Sequence, residues 1–328
     1  MAKNYKNKNL GIIQIAASLV SLHYGLGFLL GTSEMVYKQG ISGMVYGLTC
    51  GIGLLFLIFL IPFYWKNQKP IWDLLETKYG RKVKNGTIFL SWFWMIGVTT
   101  SQILGGAYII KIFNISLINS LIIVIILTTI LSLLPLEKLS KFLLFLLIVS
   151  SIVLAYGTIK TCSLPLIFQN LSTLPKSFDR NQIITFFGTA IPTILITMLG
   201  MDFHQFIVQG KKISTSITAS VLAAIILFLL LLIPIGITLG SQFNKILPTN
   251  IDGKQIIPYT LIVLGKQLLG DNLGYLFLLS ILIVSIGSCS CLVRIMTKTF
   301  MGFDFIPKRI HKKINIIIIN SLIILILA

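Results

Sequence analysis

The stretch IAASLVSLHYGLGFLLG, Ile15 to Gly31, decides how the rest of the chain is read. It is apolar enough for a bilayer interior, yet Ser18, Ser21, His23 and Tyr24 sit beside Gly25, Gly27 and Gly31 near its centre. Glycine weakens a helix by about 0.5–1 kcal/mol relative to alanine, so a break is expected there. A break frees backbone carbonyls, and inside hydrocarbon these are tolerated only where protein, water or an ion satisfies them. The same small residues also serve close packing of one helix on another, and the stretch alone leaves both uses open.

Working outward, apolar residues make up 55% of the 328 and charged residues 11%, a balance that requires lipid as the main solvent. The fold class is all-α polytopic membrane protein, in a single membrane domain covering 1–328. Runs bounded by charge, Pro or Gly predict spans near 11–36, 43–64, 87–113, 116–134, 140–160, 183–207, 217–240 and 273–299, with a shorter ninth from about 314. Lys3, Lys6 and Lys8 before the first run are read as a topology signal and not as a cleaved leader. The net charge of +18 would point to nucleic acid in a soluble protein. Here the basic residues fall between spans, so no nucleic-acid partner is expected.

With the N-terminus inside, 19 of the 27 Lys and Arg fall on the cytoplasmic side and 8 on the other. That asymmetry favours a cytoplasmic N-terminus in a plasma membrane. It places 66–84 and 298–313 inside, and 161–182 and 241–272 outside. The last contains IIPYTLIVLGKQLLG (256–270), apolar enough for a short helix lying at the external mouth. The cysteines Cys50, Cys162, Cys289 and Cys291 show no paired metal spacing and are read as structural.

The sixth span, FFGTAIPTILITMLG (186–200), carries Gly188, Thr189, Pro192 and Thr193 at a depth like that of the first interruption. Residues 20–27 and 188–193 are therefore expected to be kinked and to approach one another. Breaks in the first and sixth spans are what two five-helix halves of opposite orientation produce. In the eighth span, SILIVSIGSCSCLVRIMTKTF (280–300), Ser285, Ser288 and Cys289 share a face by their spacing of three and four. Hydroxyls there can meet an ion or bond back to their own helix. None of the nine Asp and Glu is expected at mid-span. A cation site would then use carbonyls and hydroxyls, hard oxygen donors suited to an alkali ion.

Several segments, in order, resemble the sodium/solute symporter family. These are ASL with the later Gly31, YKQGISGMVYGL (37–48), IWDLLETKYGRKVK (71–84), LGMDFHQFIVQGKK (199–212) and SIGSCSCLVRIMTKTFMGFDF (285–305). In the fourth, Asp202, Gln205 and Lys211 match the family's signature, while Phe206 stands where an arginine is expected. The resemblance implies the five-plus-five inverted-repeat fold, with a first half-repeat at about 11–160 and a second, incomplete one at about 183–328. It implies a sodium site at Ser21, Tyr24, Ser285, Ser288 and Cys289, where the Cys289 thiol is a softer donor than the usual hydroxyl. Phe28, Gln102, Tyr108 and Thr193 are expected at the solute pocket.

The function these readings imply is a sodium-coupled symporter of a small organic solute. Its partners are the solute, sodium as coupling ion and the lipid bilayer, and no cofactor is expected. Enzymatic chemistry is not expected, because no cluster of carboxylates, His and Lys gathers at a membrane surface. The alternative is a non-transporting sensor or assembly subunit that retains the symporter fold.

Overall fold

Inside a bilayer every backbone N–H and C=O needs a partner, and a helix provides them within one segment. In the computed structural model, which describes residues 10–67, 69–160, 163–173, 180–246, 260–303 and 313–328, all the long elements are helices. The first crossing starts as α1 (Ile12–His23), opened by the Gly11 N–H donating to Gln14 Oε1 at 3.0 Å. After a break the chain resumes as a π-helical turn (Gly27–Gly31) and α2 (Thr32–Gln39). Gly40, at φ 65° and ψ −151°, then reverses it into a 3-10 turn (Gly40–Met44) and α3 (Val45–Leu57), followed by α4 (Ile61–Asn67). Only glycine adopts that backbone without strain.

The short α5 (Ile71–Tyr79) stops at Gly80, φ 83°, and is tied to the next helix by Lys84, 2.9 Å from Glu76 and 3.5 Å from Asp73. Then follow α6 (Arg81–Lys111), α7 (Leu117–Ser132), α8 (Leu136–Lys160) and α9 (Ser163–Thr173). The remaining helices are α10 (Arg180–Leu199), α11 (Met201–Ile207), α12 (Ile213–Phe243), α13 (Thr260–Phe300, kinked at Gly270) and α14 (Lys313–Leu327).

By length and composition five described helices can cross a membrane: Gly27–Leu57, Arg81–Lys111, Glu137–Lys160, Ile213–Phe243 and Lys266–Phe300. A sixth is added if Phe186–Leu199 and Met201–Ile207, bent by 43°, count as one. The apolar helices Ile12–His23, Leu117–Ser132 and Asn315–Leu327 are shorter. The stretch Gly27–Leu57 is two legs and not one, because Gly43 lies directly against the backbone of Met35 and Val36. In an uninterrupted helix eight residues would separate those groups by about 12 Å. The expected separation of the first and second spans is thus present.

Contacts sort the chain ends into two faces. At one face the Leu10 N–H donates to the Gln209 carbonyl (3.3 Å), Trp65 Nε1–H donates to the Gly210 carbonyl (3.0 Å), and Gly302 abuts Trp72. Arg294, on the last turns of α13, donates to the carbonyls of Ser132 and Leu134 at the end of α7. At the opposite face Gln242 donates to the Tyr37 carbonyl (3.0 Å), and Tyr275 meets Phe113 and Lys266. Helix α9 packs on α12 and on the turn at 40–44, which puts it at this second face. The basic segment 66–84 therefore shares a face with the end of α13, opposite α9 and the end of α12, as the charge pattern requires. Residues 161–162, 174–179, 247–259 and 304–312 of the expected loops lie outside the described residues.

Small residues set how closely helices approach. Gly43, in the turn before α3, and Gly47 and Gly51 of α3 recur every fourth position. Gly47 meets Leu231 and Gly51 meets Phe228 of α12, while Gly53 meets Thr197 of α10. In lipid, where apolar contact gives little drive for association, such close backbone approach is a main source of packing energy. Large apolar side chains such as Phe59, Leu90, Ile118 and Leu229 face outward, as lipid permits.

Single cysteines at Asn67 and Lys211, in a background without the native four, should react with an impermeant maleimide from one side of the membrane. Cysteines at Lys38 and Lys245 should react from the other. Labelling of one member of a pair from each side would overturn the arrangement.

Candidate functional site

The break in the first span is a change of hydrogen-bond partner. The Gly25 N–H, which a continuous helix would give to the Ser21 carbonyl, instead donates to the His23 carbonyl at 2.8 Å. Tyr24 leaves helical geometry at φ −76° and ψ 68°. The Ser21 carbonyl thereby loses its helical donor. Gly25 is pressed by the Gln102 carboxamide of α6, so a side chain at position 25 would collide with it. His23 Nε2 lies 3.2 Å from Thr197 Oγ1 of α10, and its ring stacks at 4.6 Å on Phe203 of α11.

The break in the sixth span corrects the expectation of a kink at 188–193. Helix α10 runs through Gly188 and Pro192, with the Thr193 hydroxyl donating to the Thr189 carbonyl at 2.7 Å. The chain instead breaks at Gly200 (φ −65°, ψ 134°) and restarts as α11 with Asp202 in its first turn. Proline inside a membrane helix is tolerated where its surroundings re-satisfy the carbonyl it frees, here that of Gly188. A carboxylate in the first turn complements the positive end of a new helix. The two spans approach one another, but at Gly200 and not at Pro192.

Between these breaks lies a cavity of about 550 Å³. Its wall includes Leu26, Gly27 and Phe28 after the first break, Ser101, Gln102 and Gly105 of α6, and Thr193, Ile196, Asp202 and Phe203 around the second. Of the four residues expected at a solute pocket, Phe28, Gln102 and Thr193 are on the wall. Tyr108 is on the same face of α6 as Ser101, but about 10 Å further along the helix, with Lys111 Nζ 6.0 Å from its ring. Glu34, Tyr46, Trp94 and Asp202 also line the cavity and were not anticipated. The acids there come from either side of it, which no sequence window displays. A second cavity of about 470 Å³, sharing Trp94, Ile196 and Asp202, continues between α6 and α10 toward the face that holds Gly200 and Met201.

The five residues expected to hold sodium fall into two groups. Ser21 and Tyr24 line a void of about 10 Å³ with Ser150 of α8 and Val284 and Gly287 of α13. That is the volume of about one small ion or water. The Tyr24 and Ser288 hydroxyls are buried without a hydrogen-bond partner. Ser285 and Cys289 turn toward α6: Ser285 Oγ donates to the Gln102 carbonyl at 3.0 Å and Cys289 Sγ sits 4.0 Å from the Thr99 carbonyl. An unpaired buried hydroxyl costs about 1–3 kcal/mol, so a water or ligand that reached either one would be stabilising.

No family model matches the chain, and no curated protein matches it in sequence. Solved structures do match. A Na⁺-coupled sialic acid symporter in a substrate-bound outward-open state superposes with a TM-score of 0.78 at 14% identity, over 99% of this chain and 76% of that one. The manganese transporter of Eremococcus coleocola superposes with a TM-score of 0.61, also at 14% identity, over 96% of this chain and 69% of that one. The architecture, polytopic and all-α with two broken spans meeting at a cavity, is the one shared with these two solved structures.

Proposed function

We propose that the chain is a sodium-coupled secondary transporter of a small organic solute. The observation that carries this reading is the meeting of both broken helices at one cavity, beside an ion-sized void bordered by the end of α1 and α13. Solute occupies the cavity, and sodium occupies the void, where Ser21 and Tyr24 supply oxygen; Ser288, next in sequence to the void-lining Gly287, has a buried hydroxyl without a partner that would add to them. An ion that binds one conformation more tightly shifts the population toward it by that difference in affinity. On one side α3 packs on α10 and α12, on the other α13 packs on α6, α7, α8 and α14, and α1 packs on both α12 and α8. The cavity lies between the two sides, so rocking one on the other exposes it to each face in turn.

The name of the first neighbour supports sodium, and the hard donors support an alkali ion over a transition metal. Among the described residues no three His, Cys, Asp or Glu side chains gather as a metal site would need. The charge asymmetry supports a cytoplasmic N-terminus in a plasma membrane.

Ser101→Cys, in a background without the native cysteines, places a reporter on the cavity wall. Sodium replacing potassium should change its rate of maleimide labelling several-fold in opposite senses from the two sides of the membrane. Labelling from one side only, indifferent to sodium, would favour the non-transporting sensor or assembly subunit.

A further inference from the structure

We infer that the cavity selects an organic cation, a positively charged nitrogen on an apolar body, over a carboxylate; this deepens the transporter reading and rests on it. Two carboxylates, Glu34 and Asp202, line the cavity, and its wall contains neither Lys nor Arg. Glu34 is partly neutralised by Lys38 at 2.7 Å, a pair at the outer edge with both side chains partly exposed. Asp202 is 8% exposed, and among the described residues no ion pair reaches it. Of the nearby imidazoles, His23 is engaged with Thr197 and Phe203, while His204, edge-on to Tyr64 at 4.7 Å, has both ring nitrogens buried without a hydrogen-bond partner.

The rest of the wall suits the apolar body. Trp94, 48% exposed, adds an aromatic face, which attracts cations and covers apolar groups. Gln102, 4% exposed, has its carboxamide packed against Gly25. An ammonium group therefore meets a carboxylate and an aromatic face.

A carboxylate solute meets the reverse. Like charges about 6 Å apart, at an effective dielectric near 20, lose roughly a hundredfold in affinity. The sialic acid named for the structural neighbour is an acid. This cavity, despite the shared architecture, has the opposite charge preference.

The test uses the Ser101→Cys reporter in full-length protein reconstituted in liposomes, with three probes of one shape: phenethylammonium, 3-phenylpropionate and 2-phenylethanol. Phenethylammonium should slow labelling of the reporter, and 3-phenylpropionate should not. Asp202→Asn should weaken protection by the ammonium at least tenfold, and Asp202→Glu should retain most of it. A melting temperature close to that of the parent protein shows that both variants fold. Equal protection by 3-phenylpropionate or by 2-phenylethanol, undiminished ammonium protection in Asp202→Asn, or no protection by phenethylammonium would overturn the proposal. The sodium-dependent shift in labelling without probe reports separately on transport, so a carrier of neutral or acidic solutes would keep that shift while failing the probe series.

Discussion

Gly43→Ala should lower the apparent melting temperature of the purified protein by roughly 5–10 °C, the largest loss expected from adding one methyl group. The added carbon would fall within the main-chain envelope of Met35 and Val36, atoms that cannot rotate aside as a side-chain tip can. Overpacking against yielding neighbours costs about 1–3 kcal/mol, and a rigid backbone belongs at or above the top of that range. Gly97→Ala, with open space around it in the middle of α6, is the matched control and should leave stability unchanged or slightly raised. A thermal-shift measurement showing equal effects at 43 and 97 would mean that α2 and α3 do not fold back on each other at Gly40.

Ser288→Ala should act with opposite signs in the absence and presence of sodium. Without the ion, removing a buried hydroxyl that lacks a partner should leave stability unchanged or raise it. With the ion, the loss of a ligand oxygen should weaken sodium affinity about tenfold, near 1.4 kcal/mol. Ser285→Ala should behave differently, because its hydroxyl already bonds the Gln102 carbonyl: stability should fall in sodium and in potassium alike. Cys289→Thr exchanges a thiol for a hydroxyl and should raise apparent sodium affinity if that position reaches the ion. Sodium titrations followed by thermal shift distinguish these cases. An unchanged sodium midpoint in Ser288→Ala would remove it from the site.

The first break was legible because its signals are local: three glycines and a cluster of polar side chains fall within one turn or two of Tyr24. The second was placed wrongly because Pro192 is the stronger local signal, yet α10 runs through it as one helix. Gly200 followed by Asp202 was the better sign of a restart, a flexible residue and then an acid at a new helix N-terminus. The division of the ion-site residues was not legible either. Spacing of three and four places Ser285, Ser288 and Cys289 on one face, but which neighbour that face meets depends on how α13 is rotated against α6 and α8. Glu34 and Asp202 were not read as cavity residues for a related reason. Each looks like a span-end charge in its own segment, and only the fold brings them to one cavity.

Helix α14 is held by polar contacts as well as apolar ones. Asn320 Oδ1 accepts from Trp92 Nε1–H of α6 at 3.1 Å, its amide nitrogen lies 3.4 Å from Thr297 Oγ1 of α13, and Ser321 lies 2.8 Å from Thr129 of α7. Advancing the helix by one residue would swing these groups by 100° and leave them facing hydrocarbon or an apolar neighbour. Its orientation is thus specified digitally, by which of its fifteen positions are polar, and not by the shapes of its Ile and Leu. For the identity of this helix, two letters carry most of the information, and the remainder of the segment can drift among apolar residues while its address stays the same.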